Sequence, residues 1–345
     1  MTKTIHTTLL ALPLLCAVAT AQQPTGPEVL IAGTPLFTPA DVDATRSFQM
    51  RGSFPGSEAA TELAQRLMAR GTGFGPAIPV TLTPSADGSK LMFIGQDDPS
   101  NTIEIDNTTG DLSFCRGLMG LEVDGDTPNL PGRNAAVRAA IEHLEALNLM
   151  PENRGEMVLN HVGGLRMAAQ NEDGSSLEFD KLVTVHFGRT IDGLPVSGPG
   201  SKIIVHLGEN AELVGMQRRW IELKPLAHQA SEFLSPAETM AKVSEHLSTE
   251  WNRAERVESE RPQLGFFDDG QGRIEPAYFF RATLSYDAEV HAFAKGEYTS
   301  DYLGVVPALR TAEARFQQLS PKPAEVKGTT AAHVDPADDD EPSNR

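Results

Sequence analysis

Cysteine is nearly absent from this sequence: its 345 residues contain two, Cys16 and Cys115. Cys16 lies in an apolar N-terminal run, so a chain processed after that run keeps a single thiol and no internal disulfide. Past the N-terminus no stretch is long and apolar enough for a membrane-spanning helix. Positive charge is also scarce, with 29 Lys and Arg against 47 Asp and Glu and a net charge of −18. That balance excludes the basic stripe of a nucleic-acid binder and argues against anionic membrane surfaces. The motifs of several enzyme classes are missing too. There is no His-Glu-x-x-His, no Gly-x-Ser-x-Gly elbow and no phosphate loop; the "SGPGSK" stretch lacks the required glycine spacing. "VDGDTPN", counted from Asp124, puts Asn129 and Ala135 where a calcium loop needs glycine and glutamate. No cofactor is expected.

The N-terminus has Lys3, an apolar run from Leu9 to Val18, and Ala19-Thr20-Ala21 before Gln22. This order reads as a secretory signal peptide over 1–21, and predicts a secreted or periplasmic protein. Leu14 and Leu15 stand before Cys16, where a lipobox wants a small residue. A Pro- and Gly-rich arm or linker follows over 22–56. From there one pattern recurs three times: an amphipathic helix, then strands joined by Gly, Asp and Asn turns.

The expected helices are Ser57 to Arg70, Asn134 to Leu147, and one starting at Ser235. Leu63 and Leu67 line the first, and Val137, Ile141 and Leu144 the second, with Asn148 as its left-handed cap. The third opens on Ser235, Pro236 and Glu238, which form an N-cap, a first-turn proline and a capping-box acid. Its apolar face is Met240, Val243, Leu247 and Trp251, and a last helix is expected between Pro307 and Leu319. The fold class is therefore α+β: tandem small units over 57–130, 131–223 and 224–320, each a helix packed on an antiparallel sheet, with an acidic tail over 321–345. Cys115, in "DLSFCRGL", is expected to be a small buried strand residue.

The richest segment is "VHFGRTIDGLPVSGPGSKIIVHLGENAELVGMQRRW", 185–220. Val183, Val185 and Phe187 alternate with Thr184 and His186, while Ile203, Val205 and Leu207 alternate with Lys202 and His206. Both are half-buried strands. Asp192-Gly193 closes a two-residue hairpin, and "SGPGS" is expected to bend or bulge the returning strand around Pro199. Gly188-Arg189, Gly193-Leu194-Pro195-Val196, Lys202 to Leu207 and Gly208 together resemble the segment shared by PepSY domains and the propeptide domains of thermolysin- and fungalysin-type metallopeptidases. The resemblance is best over 180–220, and no peptidase domain follows.

The resemblance implies a non-enzymatic secreted protein that inhibits or chaperones a metallopeptidase in trans. Arg189, Val196, Lys202, Arg218, Arg219 and Trp220 are its expected partner-binding residues, since Arg and Trp are enriched at hot spots. The alternative is a secreted metal-binding protein or enzyme. Its site would be built from the strand histidines His161, His186 and His206.

Overall fold

The computed structural model describes residues 27–42, 45–51, 56–70, 80–84, 88–95, 100–116, 128–170, 176–250, 254–286, 298–316 and 319. The expected signal peptide, the acidic tail, Trp251, Asp124 and Asp126 lie outside the described residues. Among the described residues the fold is mixed α and β, mostly one large sheet with three α-helices. The helices are α1 Ser57–Arg70, α2 Arg133–Ala146 and α3 Pro236–Glu250. The first strands in chain order are β1 Glu28–Ile31, β2 Arg46–Met50, β3 Val80–Pro84, β4 Lys90–Gly95, β5 Thr102–Asp106 and β6 Leu112–Cys115. Next come β7 Met157–Gln170, β8 Ser176–Ile191, β9 Leu194–Ser197, β10 Lys202–Leu207, β11 Leu213–Arg219 and β12 Leu223–Ala227. The last are β13 Arg256–Ser259, β14 Gln263–Asp268, β15 Arg273–Tyr286 and β16 Tyr298–Pro307.

Local signals set the helix ends. The Ser235 hydroxyl accepts from the Glu238 amide, and the Glu238 carboxylate accepts from the Ser235 amide at 2.8 Å, a reciprocal capping box. Asn148 takes φ 56° after α2, as an αL cap requires. The Asp192-Gly193 turn has φ 53° and 79°, which matches the right-handed twist of its two strands.

The sheet is organised around β8. Strand β7 pairs with β8 along one edge as far as Arg189, which opposes Met157. Strands β9 and β10 therefore share the other edge, where Arg189 opposes Val196 and Phe187 opposes Ile203. Seven residues of the returning strand pass while β8 advances two, so "SGPGS" is a five-residue bulge in one interrupted strand. The sheet forks there. Beyond β10 lie β11, β6, β5, β4 and β3, all antiparallel. Beyond β9 lies β14, paired in parallel through Phe266 and Phe267, and then β15 with β13, β16 and β2.

Each branch has its own core. On the first, α1 buries Leu63 and Leu67, and α2 buries Ala140 and Leu144, against Phe93, Ile105, Val185, Val205 and Met216. On the second, α3 buries Val243 and Leu247 against Val257, Tyr278, Phe280 and Tyr302. The helices assigned from sequence to a first and a second unit thus share one core, because β6 pairs with β11 and joins their strands into a continuous half-sheet. The last expected helix is not formed over the described residues 308–316. That backbone is bonded elsewhere: Ala308 N donates to the Pro276 carbonyl, Arg310 N to that of Glu232, and Glu313 N to the Glu275 carboxylate.

Candidate functional site

The expected docking residues separate into buried and exposed sets. Arg189 and Trp220 are each 3% exposed, which corrects their assignment to a contact surface. The Arg189 guanidinium donates to the Glu156 carboxylate at 2.7 Å and to the Ile221 carbonyl at 2.9 Å, and lies 4.7 Å over the Trp220 ring. Arg218 is also turned inward, donating to the carbonyls of Leu149 and Trp220 at 3.0 Å. These three side chains brace the sheet where both branches meet. Val196 and Lys202 are half-buried and Arg219 is exposed, its Nη1 reaching the Pro199 carbonyl at 3.3 Å.

Lys202 and Arg219 stand beside two carboxylates that sequence reasoning missed. The "SGPGS" bulge closes on Asp268, at the end of β14: Ser201 Oγ donates to its Oδ2 at 2.5 Å, and Gly270 N to its Oδ1 at 2.8 Å. A Cβ at Gly198 or Gly200 would overlap Asp268, so both glycines are there for close approach. Burial pushes the Asp268 carboxyl up, opposed by those two hydrogen bonds. Asp111, at the start of β6, is pushed up to about 6, chiefly by burial, with Asp106 and Asp268 adding repulsion and Arg219 and Arg218 opposing it. Nothing local in the "DDGQG" sequence around Asp268 links it to "SGPGS" 67 residues away.

A shallow, solvent-open depression with room for little more than a water molecule lies between Asp111, Ser201, Arg219, Ile221, Asp268 and Gly270. It is far too small to enclose a small molecule, and its lining includes no histidine or cysteine for a nucleophilic relay. The cluster is a charged joint between the branches. Because the folded state holds the Asp111 proton more tightly than the unfolded chain does, this group's stabilising contribution is greatest below about pH 4 and declines as pH rises through about 6. Asp111→Asn is expected to raise stability at pH 7–8 and to flatten the slope between pH 4 and 6. Urea midpoints across that range check both; an unchanged slope rejects the assignment.

The three histidines do come together. Strand β8 places His186 on the face away from α1 and α2, since its neighbours Val185 and Phe187 fill the core. His206 opposes Thr184, whose hydroxyl lies 3.1 Å from Nδ1 of the imidazole. His161 opposes His186 because of a one-residue bulge at Asn160; without it, His161 would oppose Val185 on the core face. Gly188 makes room for that bulge, as a Cβ there would overlap the Asn160 carboxamide. The His161 and His186 rings meet edge to face with centroids 5.8 Å apart. Burial lowers both His186 and His206, assisted at His186 by His161 and Lys202 and at His206 by His186. As these side chains stand, no three His, Cys, Asp or Glu among the described residues are grouped to hold a metal ion. Cys115 is half-buried and, with Ser113, takes the alternation opposite the core residue Phe114, contrary to its expected burial.

No protein-family model matches the chain, and no curated protein matches it. Among solved structures it is similar to an uncharacterized protein from Eubacterium rectale, at 10% identity and a TM-score of 0.44, over 79% of this chain and 85% of that one.

Proposed function

We propose that this is an exported, non-enzymatic binding protein that inhibits or chaperones a secreted or periplasmic metallopeptidase in trans. The partner class comes from the PepSY- and propeptide-like Gly193-Leu194-Pro195-Val196 hairpin and its flanking strands. Tandem helix-on-sheet units belong to the same reading, supported by two cores, one carrying α1 and α2 and the other α3, each on a branch of sheet. The observation that carries the proposal is the outer edge of β7. Among the described residues this 14-residue strand pairs only with β8, and Leu159 and Leu165 on it are 42% and 47% exposed. Unpaired strand edges recruit an extended segment through main-chain hydrogen bonds, with side chains supplying selectivity. The β7 sequence "MVLNHVGGLRMAAQ" contains no acid, and its Arg166 pairs with Glu178 and Asp180 of β8.

The test is calorimetric titration of the processed protein against metallopeptidases secreted with it, with peptidase activity followed in parallel. Binding with altered activity is expected. Leu159→Lys with Leu165→Lys should weaken it about tenfold or more, which is about 1.4 kcal/mol. No binding and no change in activity overturn the proposal.

A further inference from the structure

We infer that the loop over 33–42 is a plug for the substrate cleft of the partner peptidase, with Leu36 and Phe37 as the side chains that enter its apolar pockets. The inference rests on the metallopeptidase reading and names the contact that inhibits. Leu36 and Phe37 are 66% and 54% exposed, the most exposed large apolar side chains among the described residues. Pro35 and Pro39, on either side of them, are buried. The loop is therefore seated on its prolines and turns its two largest side chains into water, against the preference of apolar surface for burial.

Both ends of the loop are fixed to the second branch. Strand β1 pairs with β13 as far as Ile31, and Ala32 N donates to the Ser259 carbonyl at 2.9 Å. Gly33, at φ 148°, lies against the Arg261 guanidinium, where a Cβ would come within 3.2 Å. Downstream, the Asp41 carboxylate accepts from the Thr38 amide and hydroxyl, each at 2.7 Å, and Asp41 N donates to the Thr38 carbonyl at 3.0 Å. Val42 then packs against the core that holds α3. Between these clamps two prolines fix φ, so little ordering remains to be done on binding. A rigid projection with apolar tips fits a concave partner, and a peptidase cleft that holds extended chain and takes up its side chains has that shape. The stretch "AGTPLFTPA", 32–40, carries no charge, which suits apolar pockets, while the net charge of −18 disfavours an anionic lipid surface.

The experiment follows hydrolysis of a short peptide by a thermolysin-type peptidase from the same secreted fraction, with the processed protein added. Competitive inhibition is expected, and a hydroxamate bound to the peptidase zinc should exclude the protein. Leu36→Ser with Phe37→Ser should raise the inhibition constant about 30-fold or more. The same variant should keep the wild-type urea midpoint, since neither side chain packs in a core. Inhibition undiminished in that variant, or a ternary complex with the hydroxamate, overturns the plug and leaves the docking reading of β7 standing. A wild-type protein that neither binds nor inhibits overturns both. Phosphatidylcholine vesicles test the other apolar occupant: binding by the wild type but not the variant, without inhibition of the peptidase, assigns the pair to lipid and overturns the plug.

Discussion

Arg189→Ala is expected to lower the unfolding free energy by about 3 kcal/mol, at the lower end of the range for breaking a buried ion pair. The guanidinium is 2% exposed and its partner Glu156 20%, so the remaining carboxylate regains some water but not all. Truncation also leaves the Ile221 carbonyl without its donor and removes the cation from the Trp220 face. Arg189→Lys should fall between the two, since an ammonium keeps the charge but cannot serve Glu156, Ile221 and the indole face at once. The measurement is a shift of urea midpoint at constant slope, with Trp220 fluorescence as a local report. A loss below about 1 kcal/mol would mean that the pair contributes no more than a surface salt bridge. A fully stable Arg189→Ala protein that nevertheless lost partner binding would return Arg189 to the contact surface.

Legibility in the sequence follows the range of the interaction. The Ser235–Glu238 capping box, the Asp192-Gly193 turn and the Asn148 cap depend on residues within a few positions, and each forms as the sequence predicts. What composition and periodicity do not carry is the parallel pairing of Val196 with Phe266, which draws the fork together across 70 residues. Without that pairing, "SGPGS" reads as a strand interruption, and its contact with Asp268 stays hidden. The 307–319 segment fails for a related reason. Its amides find acceptors on Pro276, Glu232 and Glu275, distant groups that outcompete the local helix.

The docking residues show the same limit. Arg and Trp at a strand end have hot-spot chemistry, but that chemistry also suits a buried brace, and pattern alone does not separate them. The histidines show the opposite case. Alternation within β8 and β10 gives the shared face of His186 and His206, and the disturbance around Pro199 is confined to the bulge before Lys202. His161 joins them only through the Asn160 bulge, a shift of one residue that no periodicity in "LNHVGG" announces.

Gly198→Ala is expected to open the fork at a cost of about 4 kcal/mol, the larger of the two effects. Two independent penalties meet at this residue. Its φ of 130° lies where an L side chain is strained by about 1–3 kcal/mol, and a Cβ there would overlap the Asp268 carbonyl oxygen and crowd its carbonyl carbon and amide nitrogen. Backbone cannot rotate aside as a side-chain tip can, so an overpacking cost of about 1–3 kcal/mol adds to the strain. Relief comes only by moving "SGPGS" away from β14, which breaks the Ser201–Asp268 hydrogen bond and the β9–β14 pairing together. Hydrogen exchange resolves this from general loosening. Amides of Phe266 and Phe267 should lose protection, while those of β10 and β11, paired with each other and with β8 and β6, keep theirs. Uniform loss across both branches would show that the bulge stabilises the whole sheet and is not a joint between two cores.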